Sequence, residues 1–161
     1  MAVVGTTVVA AYAMVAVLQV LVLNPLSAVP GQPLGQIYAD VEAAGESMGV
    51  AFVILLLALG PGIGVALLMR ARKAPRSVVT SWYLPLVAFG APAYFWASFG
   101  PGLALADAYL ASGGDHSAWV LVLYALSGLA LVASIAVAAG RLKGHEPTNA
   151  AWPAREPTTS S

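Results

Sequence analysis

The sequence predicts an all-α membrane protein, a bundle of four transmembrane helices with short amphipathic segments on its outer face. Hydrophobic residues make up 60% of the 161 positions and charged residues only 9%, whereas a soluble domain carries about 25% charged residues. Four apolar runs have roughly the 20 residues needed to cross a bilayer, and they cover residues 2–23, 48–69, 78–99 and 118–140. Residues 1–144 are therefore predicted to form one transmembrane domain, followed by a disordered cytoplasmic tail over 145–161.

The first run is predicted to be a retained helix rather than a cleaved signal peptide. No Lys or Arg precedes it, and its apolar run exceeds the roughly 7–15 residues of a signal-peptide core. Cleavage near Leu26-Ser27-Ala28 is the alternative interpretation. Pro25 is predicted to end the helix, because proline disfavours helical geometry in the residue before it.

The second run contains a glycine-rich stretch around a proline. Pro61 removes one backbone hydrogen bond, so a kink is expected there. Gly60 and Gly64 have the spacing that lets two membrane helices approach closely, and we predict that they pack against another helix. A phosphate-binding loop would need a preceding strand and a following Lys, and the sequence has neither here.

The third run is predicted to be the most distorted helix, because it contains Pro85, Gly90 and Pro92. Irregular backbone inside a membrane is tolerated where it is buried in protein or lines a cavity. The third helix could therefore line a binding cavity, or it could simply be kinked. Its aromatic residues lie near both ends, as expected at the two membrane interfaces.

The fourth run contains a second stripe of small residues, Ala130, Ser134 and Ala138. Small residues at this spacing are typical of close helix packing in membranes. We predict that this face contacts a neighbouring helix.

Two acidic outer segments, residues 26–47 and 100–117, connect the runs. Apolar residues recur at helical spacing in both: Leu34, Ile37, Tyr38 and Val41 in the first, and Leu103, Ala106, Tyr109 and Leu110 in the second. The first segment is predicted to contain a short helix on the outer membrane face, with an ordered loop as the alternative. The similarity of the segments also leaves open a duplication that would relate two helical hairpins.

Charge segregation predicts the orientation. The basic turn, residues 69–77, contains Arg70, Arg72, Lys73 and Arg76, and the other basic residues follow the last run. Asp40, Glu42, Glu46, Asp107 and Asp115 lie on the opposite side. The positive-inside rule therefore predicts cytoplasmic termini in a bacterial inner membrane. Basic residues in the turn are expected to attract anionic lipid headgroups by roughly 1 kcal/mol each.

Composition excludes several chemistries. The sequence has no cysteine, so it has no disulfide, thiolate metal site or thiol catalysis. No ionisable residue lies within the four runs, which argues against a proton pump, a charged-substrate transporter or an intramembrane protease. Gln19, Ser98, Ser127 and Ser134 are interpreted as hydrogen-bonding residues between helices. We predict no catalytic residue, no cofactor and no nucleic-acid binding.

Outer carboxylates are the weak candidates for a metal site. If the two outer segments fold together, Asp40, Asp107 and Asp115 could supply oxygen ligands for Ca²⁺, and His116 could favour a transition metal. The interpretation we favour is a solvated acidic rim in which Glu46 and Asp115 cap helices. No metal is therefore predicted.

Three functions are compatible with this pattern. The leading expectation is a non-enzymatic accessory subunit whose small-residue faces bind a second copy or a larger membrane complex. The alternative is an oligomeric transporter or channel for a neutral or lipidic solute, built around the kinked third helix. An enzyme that uses the outer acidic cluster is the least favoured.

Overall fold

The structure, a computed structural model, describes residues 1–71 and 74–143. Within them, four helical spans are long and apolar enough to cross a membrane: Ala2–Ala28, Val50–Arg70, Arg76–Tyr109 and Trp119–Arg141. The predicted all-α, four-span bundle is thereby confirmed. The predicted tail over 145–161 lies outside the described residues, as do Arg72 and Lys73 of the basic turn.

The first span does not end at Leu23, so this predicted boundary was wrong. It consists of helix α1 (Ala2–Leu18), a π-helical stretch (Gln19–Leu23) and helix α2 (Asn24–Ala28). Pro25 stands in the first turn of α2, which follows the π-helical stretch without a break. Pro25 cannot donate to the carbonyl of Leu21, and the Tyr38 hydroxyl donates to that carbonyl at 2.9 Å. Burial raises the pKa of Tyr38, which keeps this donor protonated.

The first outer segment forms a short helix, which confirms that prediction. This helix, α3, spans Leu34–Ala43. Gly45 ends it at a φ of 82°, and the Glu46 N–H donates to the Val41 carbonyl at 3.0 Å. Helix α4 then runs over Val50–Arg70 from the cap residue Gly49. Glu46 therefore closes α3 and does not cap the next helix, contrary to our interpretation.

The third span is longer than predicted and is broken in its middle. It consists of α5 (Arg76–Ala88) and α6 (Gly90–Tyr109), with Phe89 between them. Pro92 has no N–H for the carbonyl of Ala88, so the regular ladder stops there. Residues 100–109, predicted to belong to the second outer segment, continue α6 through Pro101. The two outer segments thus differ, because the first is a separate helix and the second is the end of a span.

The first span lies at the centre of the bundle. Helix α1 packs along α4 and α5, and the last helix, α7 (Trp119–Lys143), packs mainly along α5. Side chains from all four spans meet in the central core, including Ala16, Leu57, Tyr94 and Leu123. A second core lies where α3 contacts the end of α6, and it contains Ile37 and Leu105. We call the end of the bundle that carries α3 and residues 110–117 the acidic end, and the end that carries the basic turn the basic end.

Candidate functional site

The glycine pair of the second span contacts the first span of the same chain. A Cβ atom added to Gly60 would lie 3.4 Å from Val9 Cγ1. One added to Gly64, which is buried, would lie 3.6 Å from Thr6 Cγ2. This face of α4 therefore packs against α1 of the same chain.

The small-residue stripe on α7 is divided between the bundle and its surroundings. Ala130 is buried, and Ser134 is half-buried with its hydroxyl donating to the Ala130 carbonyl at 2.7 Å. Ala138 is exposed. Only the first part of the stripe therefore packs inside the chain.

Basic residues from three segments gather at the basic end. Arg70 is the last residue of α4 and Arg76 the first of α5. Arg141 of α7 donates from Nη2 to the Ser77 carbonyl at 3.0 Å and to Ser81 Oγ at 3.1 Å. This contact joins the last turns of α7 to the start of α5.

Hydroxyl groups join the spans near the basic end. The Tyr83 hydroxyl lies 2.8 Å from the Thr6 hydroxyl and 2.8 Å from the Gly64 carbonyl, so it connects α5 with α1 and α4. The Tyr83 ring also occupies the space beside Gly5, where a Cβ atom would lie 2.5 Å from ring carbon Cγ. The first, second and third spans are therefore fixed to one another at this point.

A second hydroxyl network lies at the break in the third span. Ser127 Oγ is 3.0 Å from the carbonyl of Val87, just before the break, and 3.0 Å from the Tyr12 hydroxyl. The Tyr12 hydroxyl also lies 3.4 Å from the Leu123 carbonyl. Irregular backbone at membrane depth is here hydrogen-bonded by a neighbouring helix. As interpreted from the sequence, Ser127 bonds between helices, whereas Ser98 bonds within its own helix, to the Phe95 carbonyl at 3.1 Å.

An apolar pocket of about 320 Å³ lies beside the same break, between α1, α4 and the α5–α6 junction. Its wall includes Leu57, Pro61, Leu86 and Ala93, and the hydroxyl of Tyr12 is the only side-chain polar group among its lining residues. Phe89, Leu59 and Ile63 at its rim are 69%, 60% and 49% exposed. These residues lie within the apolar spans, so the mouth of the pocket opens on the apolar outer surface of the bundle.

The outer carboxylates are held separately. Asp40 accepts hydrogen bonds from the Tyr109 hydroxyl and from Gln36 Nε2, both at 2.7 Å. Asp107 is exposed. Asp40 therefore stabilises the contact between α3 and the end of α6.

Asp115 pairs with a second tyrosine. Its Oδ1 accepts a hydrogen bond from the hydroxyl of Tyr94, a fully buried residue of α6. The neighbouring N–H of His116 donates to Asn24 Oδ1 at 2.6 Å. Since α7 begins at Trp119, Asp115 does not cap it, and that interpretation was wrong.

The weak metal candidates are not brought together. Asp40 and Asp115 each bond to their own tyrosine, and the ring Nε2 of His116 lies 3.2 Å from the Ser112 hydroxyl. Throughout residues 1–71 and 74–143, no three His, Asp or Glu side chains are arranged to hold a metal ion. Their tyrosine partners were not predicted. Neither outer segment contains Lys or Arg, so a neutral donor such as a tyrosine hydroxyl was the available kind of partner there, and that signal was present in the sequence.

Gln19 is a fully buried amide at the start of the π-helical stretch. Its Nε2 lies 3.5 Å from the Ser117 carbonyl, and its Oε1 has no hydrogen-bond partner among the described residues. π-Helical turns are frequent at functional sites, and an unpaired buried oxygen is uncommon. The side chain of Gln19 lies beside the hydroxyl of Tyr94 at the acidic end.

No known protein family, curated protein or solved structure matches this chain.

Proposed function

We propose that the protein is a multi-pass protein of a bacterial inner membrane, with both termini in the cytoplasm. The support is the segregation of charge, because all seven Lys and Arg residues lie in the basic turn or after the last apolar run. The contact of Arg141 with Ser77 and Ser81 agrees with this arrangement. The acidic end, with α3, then faces the periplasm.

The orientation predicts a labelling pattern in a chain that is naturally free of cysteine. Single cysteines in place of the exposed residues Ser47, Ser112 and Ser77 provide the test. We expect a membrane-impermeant maleimide to label Ser47→Cys and Ser112→Cys in intact spheroplasts, and Ser77→Cys only after permeabilisation. The opposite labelling pattern would show that the topology is inverted. Labelling of all three variants in intact spheroplasts would show that the chain does not insert as a four-span bundle.

We propose further that the protein binds a neutral, apolar molecule taken from the bilayer, and that this binding is the basis of its function. The observation that carries the proposal is the pocket of about 320 Å³ at the break in the third span. Pockets of roughly 300–1,000 Å³ with mainly apolar walls are typical of small-molecule sites. The wall supplies no charge, and its one hydroxyl already takes part in the Tyr12–Ser127 network. A lipid acyl chain or a solute of similar apolarity fits this chemistry, in agreement with a transporter of lipidic solutes.

Filling the pocket tests this proposal. Ala93→Phe places a ring in the pocket, whereas Ala58→Phe adds the same ring on the exposed face of α4, outside the pocket. In nanodiscs that contain a photoactivatable diazirine acyl lipid, we expect the wild-type chain to be crosslinked on peptides of α4 and of the α5–α6 junction. Ala93→Phe should lower this labelling at least about fivefold, and Ala58→Phe should leave it unchanged. Equal labelling in all three chains would refute binding in the pocket.

The accessory-subunit hypothesis stays as a second candidate, with a different docking face from the one first expected. In the second span, only 17% of an apolar stretch of 18 residues is buried within the chain. Leu55 and Leu59 lie on its exposed side, while Gly60 and Gly64 are turned to α1. A partner subunit or a second copy would therefore cover the exposed side of α4. Co-purification of a larger membrane protein at constant stoichiometry would favour this candidate.

A further inference from the structure

A second pocket, of about 170 Å³, lies at the acidic end, between α6, α7 and the segment that precedes α7. Its wall combines the carboxylate of Asp115, the amide of Asn24 and the aromatic rings of Phe95, Phe99 and Tyr124. None of these residues lines the apolar pocket, so the two pockets are separate sites. We call this one the acidic pocket.

Three contacts build the acidic pocket. The backbone of Gly113 crosses α6 at Gly102 so closely that a Cβ atom on Gly102 would lie 2.6 Å from the Gly113 carbonyl oxygen. Tyr94 donates to Oδ1 of Asp115, and Asn24 accepts the N–H of the next residue at 2.6 Å. The Tyr94 bond uses Oδ1 and leaves Oδ2 of Asp115 for a ligand.

The acidic pocket contains a carboxylate, whose negative charge a cation would neutralise. Residues 77–140, which supply every wall residue except Asn24, contain no Lys or Arg. His116, the neighbouring group that can become positive, has its ring Nε2 3.2 Å from the Ser112 hydroxyl. Asp115 is exposed, so a cation can reach its carboxylate from solvent. The rings of Phe95, Phe99 and Tyr124 line the same pocket.

The wall composition distinguishes between classes of cation. Ca²⁺ needs about six to eight oxygen ligands. Apart from the phenol of Tyr124, the side chains of the acidic pocket offer one carboxylate, an amide oxygen that already accepts a backbone N–H, and the Ser98 hydroxyl, which donates to the Phe95 carbonyl. Aromatic rings attract organic ammonium ions through their negatively charged faces, as in sites for quaternary ammonium ligands. A carboxylate and three rings are therefore suited to an alkylated or primary ammonium group.

We infer that the acidic pocket binds an organic ammonium group, which the Asp115 carboxylate neutralises and the rings of Phe95, Phe99 and Tyr124 surround. The group belongs either to the headgroup of an aminophospholipid in the outer leaflet or to a free amine. This site is independent of the apolar pocket, so its failure would leave the proposed function standing.

The test uses the full-length chain in nanodiscs of phosphatidylglycerol, a lipid without an amine. Tetramethylammonium and ethylammonium are titrated by calorimetry. Asp115→Asn keeps an oxygen acceptor for Tyr94 but removes the charge, and we expect it to weaken binding at least about tenfold. Asp107→Asn removes the same charge from a residue at the same end that does not line the acidic pocket, and it should bind as the wild-type chain does.

A second variant and a second measurement distinguish the possible outcomes. Tyr124→Leu should weaken tetramethylammonium binding severalfold while leaving Asp115 in place, and it carries the test if Asp115→Asn fails to fold. Native mass spectrometry from mixed nanodiscs then identifies the source, because retention of phosphatidylethanolamine by wild type but not by Asp115→Asn assigns a lipid headgroup. Binding of the free ions without lipid retention assigns a soluble amine. Absence of both, or an equal loss in Asp107→Asn, would overturn the inference.

Discussion

Gly5→Ala is expected to lower the free energy of unfolding of the bundle by about 1–3 kcal/mol, because it overpacks a close contact. The new Cβ atom would lie 2.5–2.8 Å from ring carbons of Tyr83. That ring cannot move aside without cost, since Tyr83 is buried and its hydroxyl is bonded to the Gly64 carbonyl at 2.8 Å. The added methyl group therefore separates α1 from α5 and weakens the contact between α1 and α4.

Gly62→Ala is the matched control for this prediction. It adds the same methyl group to an exposed position of α4, where nothing lies within 4 Å of the new atom. Its free energy of unfolding should be unchanged or slightly higher, because alanine favours the helix. Unfolding by SDS in mixed micelles, followed by circular dichroism, measures both variants. Equal stability of the two would show that the first span does not pack against Tyr83 as described.

Gly102→Ala is expected to be the second strongly destabilising substitution, also by about 1–3 kcal/mol. Its Cβ atom would lie 2.6 Å from the carbonyl oxygen of Gly113, so the segment that carries Asp115 must move away from α6. The hydrogen bond from Tyr94 to Asp115 should then be lost as well. Stability and ammonium affinity are both predicted to fall, because the same contact supports the fold and the acidic pocket.

Gly128→Ala is the control for Gly102→Ala. It lies on the exposed side of α7, and a new Cβ atom there would have no neighbour within 4 Å. The same unfolding measurement and the same calorimetric titration should give wild-type values for this variant. Wild-type behaviour of Gly102→Ala in both measurements would contradict the placement of residues 113–115 over α6.

The sequence was sufficient to predict the four spans, because length and hydropathy decide which segments cross a membrane. It was misleading at proline positions. We took Pro25 as the end of the first helix, yet the span continues as α2, and Tyr38 donates to the carbonyl of Leu21. A hydroxyl from α3 cannot be assigned to a carbonyl of the first span without knowing how α3 packs.

The length of the third span shows the same difficulty. We placed positions 100–102 in the second outer segment, beyond the end of the third helix, but α6 continues through them to Tyr109. Glycine before proline relieves the clash that a Cβ atom would make with the proline ring, so Gly100-Pro101 is compatible with a helix. Gly60-Pro61 in α4 is a second example.

The candidate sites were only partly visible in the sequence. The distorted third helix was a correct indication of where the structure is irregular, and the apolar pocket lies beside its break. The volume of the pocket depends on the distance between α4 and the α5–α6 junction, which no local pattern encodes. Asp115 was considered as a metal ligand or a helix cap, whereas it accepts a hydrogen bond from Tyr94 and lines the acidic pocket.

Native mass spectrometry of the full-length chain, purified in mild detergent from its own membranes, tests the central claim most directly. We expect the wild-type chain and Ala58→Phe to retain an apolar molecule at close to one per chain, and Ala93→Phe to lose it. If the wild-type chain instead carries no small molecule but retains a larger membrane protein at fixed stoichiometry, the apolar pocket is not the basis of function. The protein would then be an accessory subunit of that complex.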